Sequence, residues 1–201
     1  MSEIRLVVGL GNVGRQYERT RHNAGFWFVD ALAREAGARF SGESKFFGDV
    51  ARCTLAGRAL WLLKPSTYMN RSGRAVAALT NFYRIGIDEV LVAHDDLDLP
   101  AGTAKLKCGG GNAGQNGLRD IQAQCGSPDF WRLRIGIDHP RELGIAQPVA
   151  DYVLHPPTPE QQTLIEAAID RALPIVRDAL GGDFETAMKA LHTRTDSGRA
   201  R

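Results

Sequence analysis

Four separated stretches of the chain carry polar side chains of the kinds that bind ligands and move protons. The stretch VVGLGNVGRQYERTRHN, residues 7–23, holds Asn12, Tyr17 and His22. KPSTYMNRSG holds Tyr68 and Asn70, VLVAHDDLDLPAG holds Asp95, and GGGNAGQNGL holds Asn116. An imidazole titrates near neutral pH, a carboxylate accepts hydrogen bonds and supplies charge, and a primary amide offers one acceptor and two donors. Singly, each has an ordinary structural explanation, since asparagine and aspartate cap helices and turns and a lone histidine is most often packed or solvated. Collectively they share a place: each lies near the end of an apolar run that reads as a strand or at the start of a helix. The carboxyl ends of strands are where open α/β sheets bind ligands.

The first stretch also contains Gly9-x-Gly11-x-x-Gly14, the spacing that cradles a dinucleotide pyrophosphate in many α/β proteins. That use requires the loop to run straight into a helix, with an acid about 20 residues on at the end of a second strand. Residues 15–23 are polar without helical periodicity, and the nearest acid of suitable spacing, Asp30, falls in the middle of a predicted helix. The glycines are therefore read as letting the backbone turn sharply beside a site. A nicotinamide-dependent oxidoreductase is correspondingly disfavoured.

The elements that must position these groups alternate in type. Ile4–Val8 is a short apolar run typical of a buried strand, and Ala24–Ala36 places Phe26, Val29, Ala33 and Ala36 at helical spacing. Phe46–Leu55 and Arg58–Leu63 flank Ala56-Gly57 as a hairpin that Lys64-Pro65 is expected to halt. Ser72–Tyr83 reads as a helix, Glu89–His94 and Thr103–Lys107 as strands, Gly117–Gln124 as a short helix and Phe130–Ile137 as a strand. Thr158–Leu180 is a long amphipathic helix opened by Thr158-Pro159-Glu160 and closed by Gly181-Gly182. Residues 139–157 contain four prolines and read as a long loop, a mobile cover over a site. The interleaving predicts an α/β fold: a single domain with a mixed β-sheet sandwiched between α-helices.

A chain of 201 residues, 43% hydrophobic and 7% aromatic, suffices for one well-buried core. Residues 1–192 are expected to form that domain and 193–201 a disordered tail. The start MSEIRLVVGLG lacks the pattern of a secretory leader, and no stretch approaches the roughly 20 apolar residues needed to cross a bilayer, so a cytoplasmic location without membrane partners is expected. Cys53, Cys108 and Cys125 are odd in number without a C-x-x-C pair, which fits free thiols in a reducing compartment and no zinc site. The net charge of +2 does not by itself indicate nucleic acid. Residues 101–141, however, hold six basic against three acidic side chains, and Lys105 with Lys107 and Arg132 with Arg134 are each two apart, so that on strands each pair shares a face. Such a face is either solvated or accepts phosphates.

Together GLGNVG with YERTRHNAGF, KPSTYMNRSGRAV, HDDLDLPAG, GGGNAGQNGL and FWRLRIGID resemble the bacterial-type peptidyl-tRNA hydrolases over about residues 4–155, and more loosely in the C-terminal helices. The resemblance implies a mixed sheet between helices, in agreement with the element pattern. It also implies an enzyme that cleaves the ester between a peptide, or an N-blocked amino acid, and the 3′ ribose of tRNA, recycling tRNA from aborted translation. Its partner is peptidyl-tRNA, its state monomeric, and it uses neither cofactor nor metal. Carried over by position, the family's catalytic histidine falls on His22 and its partner carboxylate on Asp95, with substrate contacts on Asn12, Asn70 and Asn116 beside Tyr17 and Tyr68. Asn12 matches the position that separates blocked from unblocked aminoacyl ends, and Asn70 or Asn116 is a candidate donor to the oxyanion. Lys105, Lys107, Arg132 and Arg134 are candidate contacts to the phosphates of the acceptor arm.

The sequence departs from the family pattern at Val13, where a proline is common, at Asn112 and Gln115, where histidines often stand, and at Ala113, which replaces a glycine. Gln115 keeps hydrogen bonding but carries no proton at neutral pH. The second reading is a noncatalytic RNA-binding relative such as an intron-splicing factor; retention of His22 and Asp95 argues for the enzyme.

Overall fold

The computed structural model describes residues 2–196. In chain order these form β1 (Leu6–Gly9), α1 (Ala24–Glu35), β2 (Ser41–Glu43), β3 (Gly48–Leu55), β4 (Arg58–Pro65), α2 (Ser72–Tyr83), β5 (Val90–Asp96), β6 (Ala104–Cys108), α3 (Asn116–Cys125), β7 (Trp131–Gly136), α4 (Val149–Val153), α5 (Pro159–Ala179) and α6 (Phe184–Asp196). The strands make one sheet in the order β2-β3-β4-β1-β5-β7-β6. β4, β1, β5 and β7 run parallel to one another, and β2, β3 and β6 join antiparallel at the two sides. The sheet is mixed, as the interleaved elements required.

Side-chain alternation along the strands divides the core. Val7, Leu62, Leu91, Ala93, Leu133 and Ile135 face α1, α5 and α6, whereas Leu6, Val8, Leu63, Val90 and Val92 face α2 and α3. Burial on both faces explains why the central strands are continuous apolar runs. Each of these valine, leucine and isoleucine side chains removes apolar surface from water worth about 1.5–3 kcal/mol.

Several boundaries differ from the sequence reading. β4 continues through Lys64 and Pro65, with Pro65 opposite Gly48 at the last rung, where a missing N–H is tolerated. The edge strand β2 is the polar triplet SGE and carries no apolar signal. Residues 139–157 are not a structureless cover: they contain α4, whose Tyr152 is fully buried and donates its hydroxyl to Ile137 O at 2.7 Å. Helix α6 follows the Gly181-Gly182 stop and carries the chain through Asp196, past residue 193 where the tail is expected to start. The remainder of that tail, 197–201, lies outside the described residues.

Helix α5 begins as the Thr158-Pro159 signal indicates. Thr158 Oγ1 accepts from Gln161 N at 3.2 Å while Gln161 Oε1 accepts from Thr158 N at 3.1 Å, a reciprocal capping box.

Candidate active site

Three parallel strands set the site. β1 lies between β4 and β5, and the helices that follow β1 and β4 leave to opposite faces, α1 to one and α2 to the other. The divergence opens a crevice at the carboxyl ends of these strands. Two glycines let α1 start deep in it. A Cβ on Gly25 would lie 2.3 Å from Ala93 O and 2.6 Å from Leu10 N, and one on Gly9 would lie 2.4 Å from Gly25 O. The glycine pattern thus serves helix-to-strand approach. It places the 3-10 turn Arg21–Asn23, just ahead of α1, over the end of β5.

There His22 Nδ1 lies 2.8 Å from Asp95 Oδ2. The other oxygen, Asp95 Oδ1, accepts from Gln115 Nε2 at 3.1 Å. Gln115 is itself fixed, because its Oε1 accepts from Leu118 N at 3.0 Å and caps α3. With both carboxylate oxygens accepting, the proton between His22 and Asp95 sits on Nδ1, so Nε2 keeps its lone pair when the ring is neutral. Nε2 has no protein partner among the described residues. Burial disfavours the imidazolium, but the charge of Asp95 and its hydrogen bond together outweigh burial, and the His22 pKa stands above the ordinary 6.5.

His22 and Asp95 line a pocket of about 320 Å³ together with Asn112, Gln115, Asn116, Val149, Ala150 and Val153. A larger cavity of about 700 Å³ lies between α1 and the start of α5, lined by Glu18, Trp27, Asp30, Pro157 and Glu166 among others. It contains none of the candidate residues, so chemistry and not size selects the site.

Asn12 is buried beside the 3-10 turn. Asn23 clamps its main chain, accepting from Asn12 N at 2.8 Å and donating to Asn12 O at 2.9 Å. The Asn12 side chain accepts from Met69 N at 2.8 Å through Oδ1, which leaves Nδ2 without a partner among the described residues. Tyr68 and Asn70 flank Met69 and are exposed, and the Tyr68 ring meets Tyr17 edge-on with centroids 6.4 Å apart. Met69 N thus ties Asn12 to the segment that carries Tyr68 and Asn70, with Tyr17 against Tyr68, outside the pocket lining; Asn116 alone of the three candidate asparagines lines the pocket. Met69 joins the two parts, its Sδ 3.2 Å from Gln115 Nε2.

The basic pairs separate on inspection. Lys107 is exposed and Lys105 half-buried on β6, whereas Arg132 is 2% exposed and does not belong to a phosphate-accepting surface. Its guanidinium donates to the carbonyls of Gly110, Gly111 and Pro128, bracing the glycine loop ahead of α3. Sharing a strand face with Arg134 did not imply sharing its exposure, because that loop covers one end of the face. Arg134 Nε donates to Asp96 Oδ2 at 2.8 Å. The sequence pattern does not mark Arg21 or Asn23, and it marks Gln115 only as a departure from the family that keeps hydrogen bonding. Glutamine is not a preferred cap, so nothing in the sequence singled it out as the carboxylate's partner. His94, fully buried next to Asp95, has Nδ1 on Asp95 O at 2.8 Å, and burial holds its pKa below the ordinary value.

These features define a class: an α/β protein with a buried carboxylate–imidazole pair at the switch point of its sheet and a ring nitrogen open to a pocket, the groups of a hydrolytic base. Comparison with known proteins takes the class to a family. A family model described as peptidyl-tRNA hydrolase matches residues 6–198. The peptidyl-tRNA hydrolase of Bordetella petrii is 58% identical over 190 residues, spanning 94% of this chain and 90% of the relative. That of Neisseria meningitidis is 52% identical over 191 residues, spanning 95% and 98%. The crystal structure of peptidyl-tRNA hydrolase from Acinetobacter baumannii is similar with a TM-score of 0.90 at 46% identity, over 95% of each chain. This chain belongs to the peptidyl-tRNA hydrolase family and is a hydrolase. The noncatalytic alternative is not favoured by these matches. Among the described residues no helix is long and apolar enough to cross a membrane.

Proposed function

We propose that the chain hydrolyses the ester joining a peptide or N-blocked amino acid to the 3′ ribose of tRNA, with His22 as general base. The observation that carries the reading is the 2.8 Å contact between His22 Nδ1 and a carboxylate whose second oxygen is already engaged, leaving Nε2 open to the pocket. Nε2 takes a proton from water as the water oxygen attacks the ester carbonyl, and Asp95 holds the tautomer and stabilises the imidazolium. Asn116 opens α3 within the same pocket, so its amide and the positive end of that helix are the nearest donors to the oxyanion. Collapse of the intermediate breaks the bond to the 3′ oxygen, which takes the proton from His22, and the peptide leaves with a carboxyl group.

In this reading Asn12 Nδ2, Asn70, Tyr17 and Tyr68 hold the peptide. Amides that grip main chain suit a substrate of arbitrary sequence. Lys105 and Lys107, with the N–H groups of Arg134 that Asp96 does not use, meet phosphates of the acceptor arm; Arg132 takes no part. The enzyme acts as a cytoplasmic monomer. Release of the acetylated amino acid from N-acetyl-aminoacyl-tRNA, measured with wild type and His22→Ala, tests the reading. Turnover by the wild type and its loss in a variant of unchanged circular dichroism is the expected pair; a His22→Ala variant that still turns over overturns it.

A further inference from the structure

The turn that carries His22 is fastened on two sides. Asn23 holds it to Asn12, and Arg21 holds it to the corner between α4 and α5. Arg21 is 5% exposed. Its Nη1 donates to Tyr152 O at 2.9 Å and His155 O at 3.3 Å, its Nη2 donates to Gln161 Oε1 at 2.9 Å, and its guanidinium lies 3.8 Å from the centroid of the Tyr152 ring. Arg21 N donates to His155 O at 3.1 Å. Gln161 continues the chain of contacts, donating through Nε2 to Asp138 Oδ2 at 2.9 Å and to the Tyr152 hydroxyl at 3.0 Å. The same α4 supplies Val149, Ala150 and Val153 to the pocket that His22 lines.

For stability alone this is a poor arrangement. Among the described residues the buried guanidinium has no carboxylate bonded to it and its Nε no hydrogen-bond partner, with Asp138 acting on it only as a nearby charge, and a desolvated cation costs several kcal/mol unless fully engaged. What the arrangement does provide is geometry, since a planar fork accepts little rotation once two arms are held. We infer that Arg21 is a positioning residue of the reaction: it fixes the His22 ring against Asp95 and, through the same guanidinium, sets the α4 wall of the pocket. This rests on His22 being the general base.

The titratable groups facing the pocket are Asp95, His94 and Asp96, all of β5; the loop ahead of α3 and α3 itself present Asn112, Gln115 and Asn116, and α4 presents only aliphatic side chains. Loosening the turn therefore acts on His22 chiefly by weakening its contact with Asp95.

Arg21→Lys, Arg21→Met and Gln161→Met are compared with wild type and with Val176→Ala, a core substitution in α5 that lowers stability away from the site. Each is assayed for kcat and KM, for the acid limb of kcat, and by NMR titration of the His22 ring. A positioning role predicts kcat down roughly 10- to 100-fold in Arg21→Met with KM within about twofold, as small misplacement of a catalytic group does, and a smaller loss in Arg21→Lys. The acid limb and the NMR titration of His22 move together to lower pH, toward the ordinary value, and Gln161→Met moves them the same way. Val176→Ala lowers Tm and moves neither. Should Arg21→Met not fold, Arg21→Lys and Gln161→Met carry the same readouts. A wild-type His22 titration in folded Arg21 and Gln161 variants overturns the inference, whether or not kcat falls. It leaves the catalytic reading standing so long as His22→Ala is inactive.

Discussion

Replacing Asp95 by asparagine sets two hydrogen-bond donors against a residue that then has only one acceptor. In the wild type Asp95 Oδ2 faces His22 Nδ1 and Oδ1 faces Gln115 Nε2. Gln115 has no freedom to turn its amide, since its Oε1 is occupied by Leu118 N. The asparagine therefore points its oxygen at Gln115 and its NH2 at His22, and the ring answers by moving its proton to Nε2. Every group is then satisfied, and the base is lost. To recover it the protein must place a donor against a donor at a site where Asp95 is 3% exposed and Gln115 8%. Leaving buried donors unpaired costs about 1–3 kcal/mol each. With the lost attraction for the imidazolium, the barrier rises by about 3–5 kcal/mol, on the order of 10²–10⁴ in kcat. The same logic gives a rescue. In Asp95→Asn with Gln115→Glu, the new carboxylate accepts from the asparagine NH2 and still caps Leu118, so the asparagine oxygen returns to His22 and Nε2 is deprotonated again. We expect the double variant to regain at least about tenfold over Asp95→Asn, roughly 1.4 kcal/mol, in the release of acetylated amino acid from N-acetyl-aminoacyl-tRNA. A double variant no faster than the single one would refute the tautomer argument, and an Asp95→Asn enzyme of near wild-type rate would remove Asp95 from the mechanism.

Three further outcomes follow from the same contacts. Gln115→His should change kcat by less than about tenfold, because a ring can donate to Asp95 and accept from Leu118; a large gain together with a new ionisation near neutrality in the pH–rate profile would instead assign residue 115 to protonation of the leaving oxygen. Lys107→Ala should reduce the slope of log Kd for tRNA against log salt by about one unit without lowering Tm, whereas Arg132→Met should lose about 2–3 kcal/mol of stability by freeing three carbonyls, and equal salt slopes for wild type and Lys107→Ala would remove that lysine from the interface. Because the folded pKa of His22 is raised, its contribution to stability is present below about pH 6.5 and is lost as pH rises through the folded value. The Tm difference between wild type and His22→Ala should accordingly be larger at about pH 5.5 than at about pH 8, and a difference that grows with pH would show the sign to be wrong.

The parts of this fold that could be read in advance are those with a long apolar signal. The runs at Leu6–Gly9 and Val90–Asp96, the helix at Ser72–Tyr83 and the Thr158 cap were all legible because burial on both faces or one periodic face determines them. α4 has five residues, too few for a period to appear, and β2 consists of three small or polar ones. His22, Asp95 and Asn116 were recognised by motif, and the structure brings them to one pocket. The supporting residues were not, for a common reason. Gln115, Asn23, Arg21 and Arg132 each meet a partner that is distant in the chain, namely Asp95, Asn12, Gln161 and Gly111 at separations of 20, 11, 140 and 21 residues, and no local pattern encodes which long-range partner a polar side chain will meet. Arg132 shows the cost of arguing from alternation alone: of two arginines on one strand face, Arg132 met a covering loop and Arg134 a carboxylate at a half-buried position.

The Arg21 fastening has a meaning in time as well as in space. Its acceptors lie 131, 134 and 140 residues further along, and the carboxylate that His22 needs lies 73 residues further along. In the order of synthesis the His22 turn precedes Asp95, and Asp95 precedes residues 152, 155 and 161, which accept from Arg21. Contacts of such separation form late in folding, because the intervening loop must be closed first. A nascent chain stopped before α4 would therefore hold His22 and Asp95 without the brace that aligns them, so their alignment would be conferred only once residues 152–161 are made, by a segment that adds only aliphatic side chains to the pocket.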